Sequence, residues 1–394
     1  MKDATKALRG GRDSKAQFGA VNPPVVRAST YLFEGYDGLQ EAERALPGEA
    51  LTYGTHATPT SLALERALRD LEGGFRTRLQ PSGLMAMTAP LLSFLSAGDH
   101  LLMTDSAYGP TRAFCQGTLK RFGVETTFYD PLIGGGIRDL IRPNTKVVFC
   151  ESPGSWTFEV QDVPAIAEEA HKAGAVVMLD NTWASPLFFK PFAHGVDLCL
   201  AALTKYVGGH ADLLMGSVSC VESVYPTYRR GQRELGLAVS PDDCALALRG
   251  LRTLSVRMKA HEAAGLALAD WLMGRPEIAQ ILHPGMPHDP GHRIWRRDFL
   301  GASGLFGAIL REDLSSEAHI RALLDGLELF GVGYSWGGFE SLILPVDPVG
   351  ARSATVWPRE GRAKGRLLRL HAGLEDLEDL KADLAAGFAR MARI

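Results

Sequence analysis

Apolar residues in this chain follow two rhythms. HLLMTD (100–105), KVVFCES (146–152), AVVMLDN (175–181) and VDLCLAAL (196–203) are short, nearly continuous apolar runs rich in Val and Leu. Runs of that length fit strands covered on both faces. Between them the apolar positions recur at helical spacing. SLALERALRDLEGG (61–74) has that spacing and a glycine stop. VPAIAEEAHKAG (163–174) opens at a proline and closes at a glycine. Buried strands alternating with helices predict a mostly parallel α/β sheet.

The pattern changes at both ends. Residues 1–57 look irregular, with short apolar pieces such as VNPPVV and STYLF, and read as an arm contacting a neighbouring subunit. Residues 58–247 form the α/β region. Residues 248–394 read as a smaller α+β domain, introduced by a long helical period in CALALRGLRTLSVRMKAHEAAGLALADWLMG that fits one helix or two. A Pro/Gly/His-rich loop follows (HPGMPHDPGH), then strands at SGLFGAIL and SLILP and a closing helix in LEDLKADLAAGFARMARI. IGGGIRDL (133–140) lacks the GxGxxG pattern and reads as a loop.

Bulk numbers narrow the class. With 394 residues, two domains are expected. A hydrophobic fraction of 46% and a net charge of -3 are ordinary for a globular protein and give no reason to invoke nucleic acid or an acidic membrane surface. The short basic cluster Arg293, Arg296 and Arg297 reads as a solvated face or a local ion-pair set. The N-terminal residues lack the apolar core of a secretory signal. No run approaches the roughly 18 apolar residues of a membrane span. The cysteines (Cys115, Cys150, Cys199, Cys220, Cys244) are odd in number and widely spaced, which fits a reducing cytoplasm better than a disulfide framework.

Candidate chemistry gathers at strand ends, where ligands bind in open α/β sheets. Asp180 closes AVVMLDN; alone it reads equally as a cap or turn former. Lys205 follows VDLCLAAL, 25 residues later. A lysine at an apolar boundary ordinarily reaches back to water, but strands one crossover apart would aim Asp180 and Lys205 into one crevice. In LQPSGLMAM, residues Ser82, Gly83 and Leu84 open a helix whose first amides suit a phosphate, although Pro-Ser-Gly is also a plain turn. Tyr108, in DSAYGPTR, is either a loop aromatic or a stacking face. Together a phosphate cradle, a carboxylate for a pyridinium nitrogen and a lysine for a Schiff base match pyridoxal 5'-phosphate. His210, in GGHAD, has no second ligand at metal spacing; a structural role and no metal are expected. By pattern alone Arg369, in LLRLHAGLE, reads as a charge on an edge strand.

TKYVGGHAD, LDNTWASP, PSGLMAM and AYGPTR resemble the fold-type-I pyridoxal-phosphate enzymes of Cys/Met metabolism, from about residue 18 to the end. ESPGSWTFEVQDVPAI, DNTWASPLFFKP, YSWGGFESLILP and RLHAGLEDLEDL are similar to the bacterial cystathionine β-lyases within that family. The sister γ-synthases and γ-lyases usually carry Asn-Pro where Gly154-Ser155 stand here, and usually lack a run like Tyr334-Ser335-Trp336. The resemblance implies that Lys205 is the Schiff-base lysine and that Asp180 faces the pyridinium. It gives Tyr108 the stacking role and phosphate contacts to Gly83, Leu84 and Thr204. Arg369 would grip the substrate α-carboxylate beside Ser335 and Trp336, and Tyr53 would serve a neighbouring subunit's phosphate site. Lys205, Tyr108 and Tyr53 form the implied catalytic set.

Two positions depart from the family. Thr55, followed by His56, stands where most relatives carry a phosphate-binding arginine, and Ala202 replaces a common serine. The expected activity is β-elimination of L-cystathionine to homocysteine, pyruvate and ammonia. γ-Cleavage, γ-replacement, β-elimination on cysteine or another thioether, and racemase or aminotransferase side activity are the alternatives on the same scaffold; cofactor binding without turnover is a further one. A dimer of dimers is the expected assembly.

Overall fold

The computed structural model describes residues 1–45 and 51–394. The larger sheet contains β1 (Arg76–Gln80), β2 (His100–Thr104), β3 (Glu125–Tyr129), β4 (Thr145–Glu151), β5 (Val176–Asp180), β6 (Leu198–Ala202) and β7 (Gly216–Cys220), in the order β1-β7-β6-β5-β4-β2-β3. β7 is antiparallel to both β1 and β6, and every other pairing is parallel. The four apolar runs are β2, β4, β5 and β6. The others (RTRLQ, ETTFY, GSVSC) interleave polar residues and escape a search for apolar runs.

The central strands are apolar because both faces are covered. In β4, Val147 and Phe149 enter one core, while Val148 and Cys150 enter another on the opposite face. The helix Pro59–Glu72 starts at a Thr58–Ser61 capping box and stops at Gly73, whose φ is +82°. The helix Val163–Lys172 starts at Asp162, whose side chain accepts the Ala165 amide. These polar ends are what the sequence pattern detects.

A single helix, Pro241–Met273, runs across position 247/248 and joins the two sheets. The second sheet comprises β8 (Ile278–Leu282), β9 (Leu305–Leu310), β10 (Gly331–Val332), β11 (Leu342–Val346) and β12 (Leu367–His371), ordered β10-β11-β12-β9-β8. The closing helix spans Leu377–Met391. β12 is central and wholly buried. The edge-strand reading of Arg369 is therefore corrected: leucines at 367, 368 and 370 take the strand inside, and the guanidinium is carried in with them.

Two further segments differ from their sequence reading. The first 57 residues hold helices at Asp3–Arg9 and Gly35–Arg44. The first docks on its own chain, with Ala7 buried and Arg252 donating to the carbonyls of Ala7, Leu8 and Gly10. Such a short helix forms through tertiary contact, which sequence period alone does not register. Gly134–Leu140, read as a loop, forms a 3₁₀ helix. In the basic cluster, Arg297 pairs with Asp162 and Asp298. No helix among the described residues is long and apolar enough to cross a membrane. All five cysteines are buried free thiols; desolvation pushes Cys115, Cys150, Cys220 and Cys244 up to about 12, which leaves them unreactive.

Candidate active site

Parallel pairing puts the carboxyl ends of β2, β4, β5 and β6 on one edge of the sheet. Asp180 is the last residue of β5 and is 8% exposed. Its Oδ1 accepts from the Thr182 amide at 3.0 Å and hydroxyl at 2.5 Å. Thr182 Oγ1 in turn accepts the Ala202 amide at 2.9 Å, tying the ends of β5 and β6 together. Burial pushes the Asp180 carboxyl up to about 6, against the pull of the Thr182 hydrogen bonds and the Lys205 charge.

Lys205 lies in the turn after β6, and its Nζ donates to Ser335 Oγ at 2.6 Å. The ammonium stands 5.4 Å from the Trp336 ring centre. Desolvation, then the nearby Arg369 cation, lower the amine to about 8, opposed by Asp180. Arg369 Nη2 donates to the Ser335 carbonyl at 2.9 Å. Burial lowers the guanidinium to about 10, so it stays charged at neutral pH.

Tyr334–Gly338 reaches this turn from the second sheet. Ser335 has φ +79° and Gly337 φ +85°. A Cβ on Gly337 would lie 3.0 Å from the Tyr206 amide and 3.1 Å from Lys205 Cα, so only glycine lets the two backbones meet. Trp336 packs on Tyr206 with ring centres 5.5 Å apart, and His371 Nε2 reaches the Gly338 carbonyl at 3.2 Å. A serine with left-handed backbone at a charged crevice is strain of the kind found at functional sites.

On the other side of the crevice, the helix Gly83–Phe94 starts after Ser82, whose hydroxyl accepts the Met85 amide. The amides of Gly83 and Leu84 have no acceptor within the helix. A Cβ on Gly83 would lie 2.6 Å from Ala202 Cβ, so this helix start abuts the end of β6. Tyr108 is half-exposed and its amide donates to Glu151 Oε2 at 2.6 Å.

Sequence reasoning missed Glu151. It ends β4 in register with Asp180, and burial, then the Asp180 charge, push its carboxyl well up. A carboxylate closing the apolar run KVVFC was the available signal. Thr204, assigned to phosphate by resemblance, exchanges hydrogen bonds with the Met215 backbone, donating to O at 3.2 Å and accepting from N at 3.1 Å. Tyr53 is half-exposed beside His56, ring centres 6.3 Å apart, and has no contact with the Lys205 group among the described residues. His210 Nδ1 turns back onto the Gly208 carbonyl at 2.7 Å.

The residues present fit the cofactor: a partly buried amine after β6, a buried carboxylate at the end of the adjacent β5, an aromatic face and free helix amides share one edge. The family of Cys/Met metabolism PLP-dependent enzymes matches residues 4–389. The chain belongs to this family. It is 42% identical over 390 residues to a cystathionine β-lyase of Escherichia coli K12, covering 98% of each chain. It is 38% identical over 403 residues to an L-alanine/L-glutamate racemase of Wolbachia pipientis wMel, covering 99% of this chain and 98% of that protein. A solved cystathionine γ-synthase from Xanthomonas oryzae pv. oryzae, in complex with aminoacrylate and cysteine, superposes with TM-score 0.90 at 33% identity, covering 100% of this chain and 99% of that one. This member of the family is thus a pyridoxal-phosphate-dependent enzyme on the carbon–sulfur lyase and transferase scaffold.

Proposed function

We propose that this enzyme cleaves L-cystathionine by β-elimination to homocysteine, pyruvate and ammonia. The observation that carries the reading is the seating of Tyr334–Gly338 on the Lys205 turn. Ser335 accepts from Lys205 through its hydroxyl and from Arg369 through its carbonyl. The segment through which the chain resembles the β-lyases more than the γ-enzymes therefore touches both the base and the carboxylate-binding group. The likeness to the E. coli β-lyase supports the same reading.

Lys205 would carry the cofactor, with Asp180 toward its ring nitrogen, Tyr108 over its face and the Gly83 and Leu84 amides toward its phosphate. When bound, pyridoxal phosphate supplies the electron sink for the charge left on the substrate α-carbon. Arg369 holds the α-carboxylate through its planar fork. That grip fixes which α-carbon bond faces the base, a matter of positioning. Lys205 Nζ, oriented by Ser335, removes the α-proton as a neutral amine; the Cβ–S bond then breaks, the departing sulfur of homocysteine takes up a proton, and water hydrolyses the remaining three-carbon enamine to pyruvate and ammonia. An amine near pH 8 is a base of useful strength at physiological pH. Incubation of loaded enzyme with L-cystathionine, with products identified by mass spectrometry, tests the proposal.

Racemisation is the second reading, favoured by the Wolbachia relative. It needs the α-proton to leave and return, and formation of D-alanine from L-alanine would establish it. A reducing cytoplasmic setting suits the buried thiols, and a homotetramer in which Tyr53 serves a neighbouring copy completes the proposal.

A further inference from the structure

Tyr334–Gly338 leans on the Lys205 turn with a left-handed serine in it, Ser335 at φ +79°. Such a conformation lasts only where the surroundings over-determine it. Part of what holds it lies behind the segment, on β12. Residues two apart on a strand face the same way, so His371 shares a face with Arg369. Its Nε2 donates to the Gly338 carbonyl at 3.2 Å. Gly338 directly follows Gly337, the residue whose backbone meets Lys205.

The neighbouring hydrogen bonds leave this point to His371. Arg369 holds the Ser335 carbonyl, but the same guanidinium serves the substrate carboxylate, so that grip is shared during turnover. The Leu374 amide donates to the Phe339 carbonyl at 2.8 Å, and Glu375 accepts from Ser341 N and Oγ, each at 2.8 Å. Those bonds fix the far end of the segment, beyond the residues that touch Lys205.

A carbonyl only accepts, so Nε2 of His371 carries the proton. His261 packs against it, ring centres 5.1 Å apart, and donates through Nδ1 to the Ala372 carbonyl at 2.9 Å. Tyr206, next to Lys205 in sequence, closes the cluster at 5.8 Å from His371 and 5.2 Å from His261. Desolvation, then His261, with further repulsion from Arg369 and Lys205, push His371 down to about 3. Desolvation brings His261 to about 4. Both rings are therefore neutral at physiological pH. Nδ1 of His371 is buried without a partner among the described residues, a penalty that an apolar side chain would avoid. What the imidazole adds in return is its one donor.

We propose that His371 is a positioning residue for the reaction: its Nε2–H fixes the Gly338 carbonyl, seats Ser335 on Lys205 and keeps the amine shielded from water. The inference rests on the reading of Lys205 as the base.

The test titrates Lys205 in full-length enzyme freed of cofactor, by competitive acetylation from neutral to alkaline pH with the modified lysine resolved by peptide mass spectrometry. Wild type is compared with His371→Leu, which fills the space without a donor, and His371→Gln, whose amide restores one at similar reach. Circular dichroism checks that each is folded; if the Leu variant is not, His371→Met takes its place. The wild-type midpoint should lie near about 8. It should rise by at least about one pH unit in the donorless variant, as water reaches the amine, and return in the Gln variant. In cofactor-loaded enzyme the acid limb of kcat should move the same way. A merely space-filling histidine would alter stability and leave the midpoint in place. A folded donorless variant titrating with the wild type, a Gln variant titrating with the donorless one, or a wild-type amine near its ordinary 10.5 would each overturn the proposal. The acetylation uses no substrate, so a wild type inactive on L-cystathionine strikes the choice of β-elimination while the midpoints still decide the role of His371.

Discussion

At the scale of residues, the site is a small electrostatic circuit. Lys205, Asp180, Glu151 and Arg369 are all buried or nearly so, and each is moved from its ordinary value mainly by desolvation. Lys205→Ala should abolish turnover, a loss of at least about 10³-fold in kcat, while Arg369 still binds substrate; residual activity within tenfold of the parent would remove Lys205 from the base role. The wild-type pH profile carries a second expectation. A lysine lowered to about 8 is protonated below that pH, so kcat should fall as pH drops through about 8 and hold above it. A flat kcat from pH 6 to 9 would mean that another group takes the proton. Lys205 and Asp180 were legible because strand-end position is written in the apolar runs before them. Glu151 carries the same strand-end signal and was passed over; only its register with Asp180 across β4 and β5, a relation between distant segments, was hidden from the sequence.

At the scale of elements, the sequence pattern served the central strands and capped helices and failed where tertiary contact decides. β1, β3 and β7 are half-polar. Asp3–Arg9 needs the Pro241–Met273 helix and Arg252 to exist. Arg369 looked like an edge charge because pattern cannot reveal strand order. The same lesson applies to Asp105, which follows β2 and binds a loop some 250 residues away, accepting from Ser353 N at 2.9 Å, Thr355 N at 2.8 Å and Thr355 Oγ1 at 2.7 Å. Arg112 Nη1 completes the set at 2.9 Å and stacks over Phe128. Asp105→Ala leaves that buried guanidinium unpaired and should destabilise the fold by about 3 kcal/mol in urea titrations. The Thr355 and Ser353 hydrogen bonds and Arg112 hold the Asp105 carboxyl below its ordinary value despite burial. A depressed carboxylate stabilises the fold above the ordinary carboxylate range, and that contribution is lost as pH falls below it. A variant whose stability parallels the wild type from neutral to acid pH would show that this latch contributes nothing.

At the scale of the molecule, two sheets joined by one long helix bring Lys205 from the first against Ser335 and Arg369 from the second. The site exists only where the two meet, which is why its parts lie 164 residues apart in sequence yet share hydrogen bonds. The N-terminal segment leaves Phe18, Leu32, Tyr36 and Tyr53 exposed. A second copy of the chain is the proposed cover for these side chains. Loaded enzyme should sediment as a tetramer, and Tyr53→Phe should weaken cofactor retention without dissociating it; a fully active monomer would contradict both.

The central claim is regiochemical, and one measurement addresses it: mass-spectrometric identification of the products formed from L-cystathionine by the cofactor-loaded enzyme. Homocysteine with pyruvate is the predicted result and would tie β-cleavage to the Tyr334–Gly338 segment on Lys205. Cysteine with 2-oxobutyrate would contradict it, leaving the fold, the cofactor and Lys205 in place but assigning γ-cleavage to the same crevice.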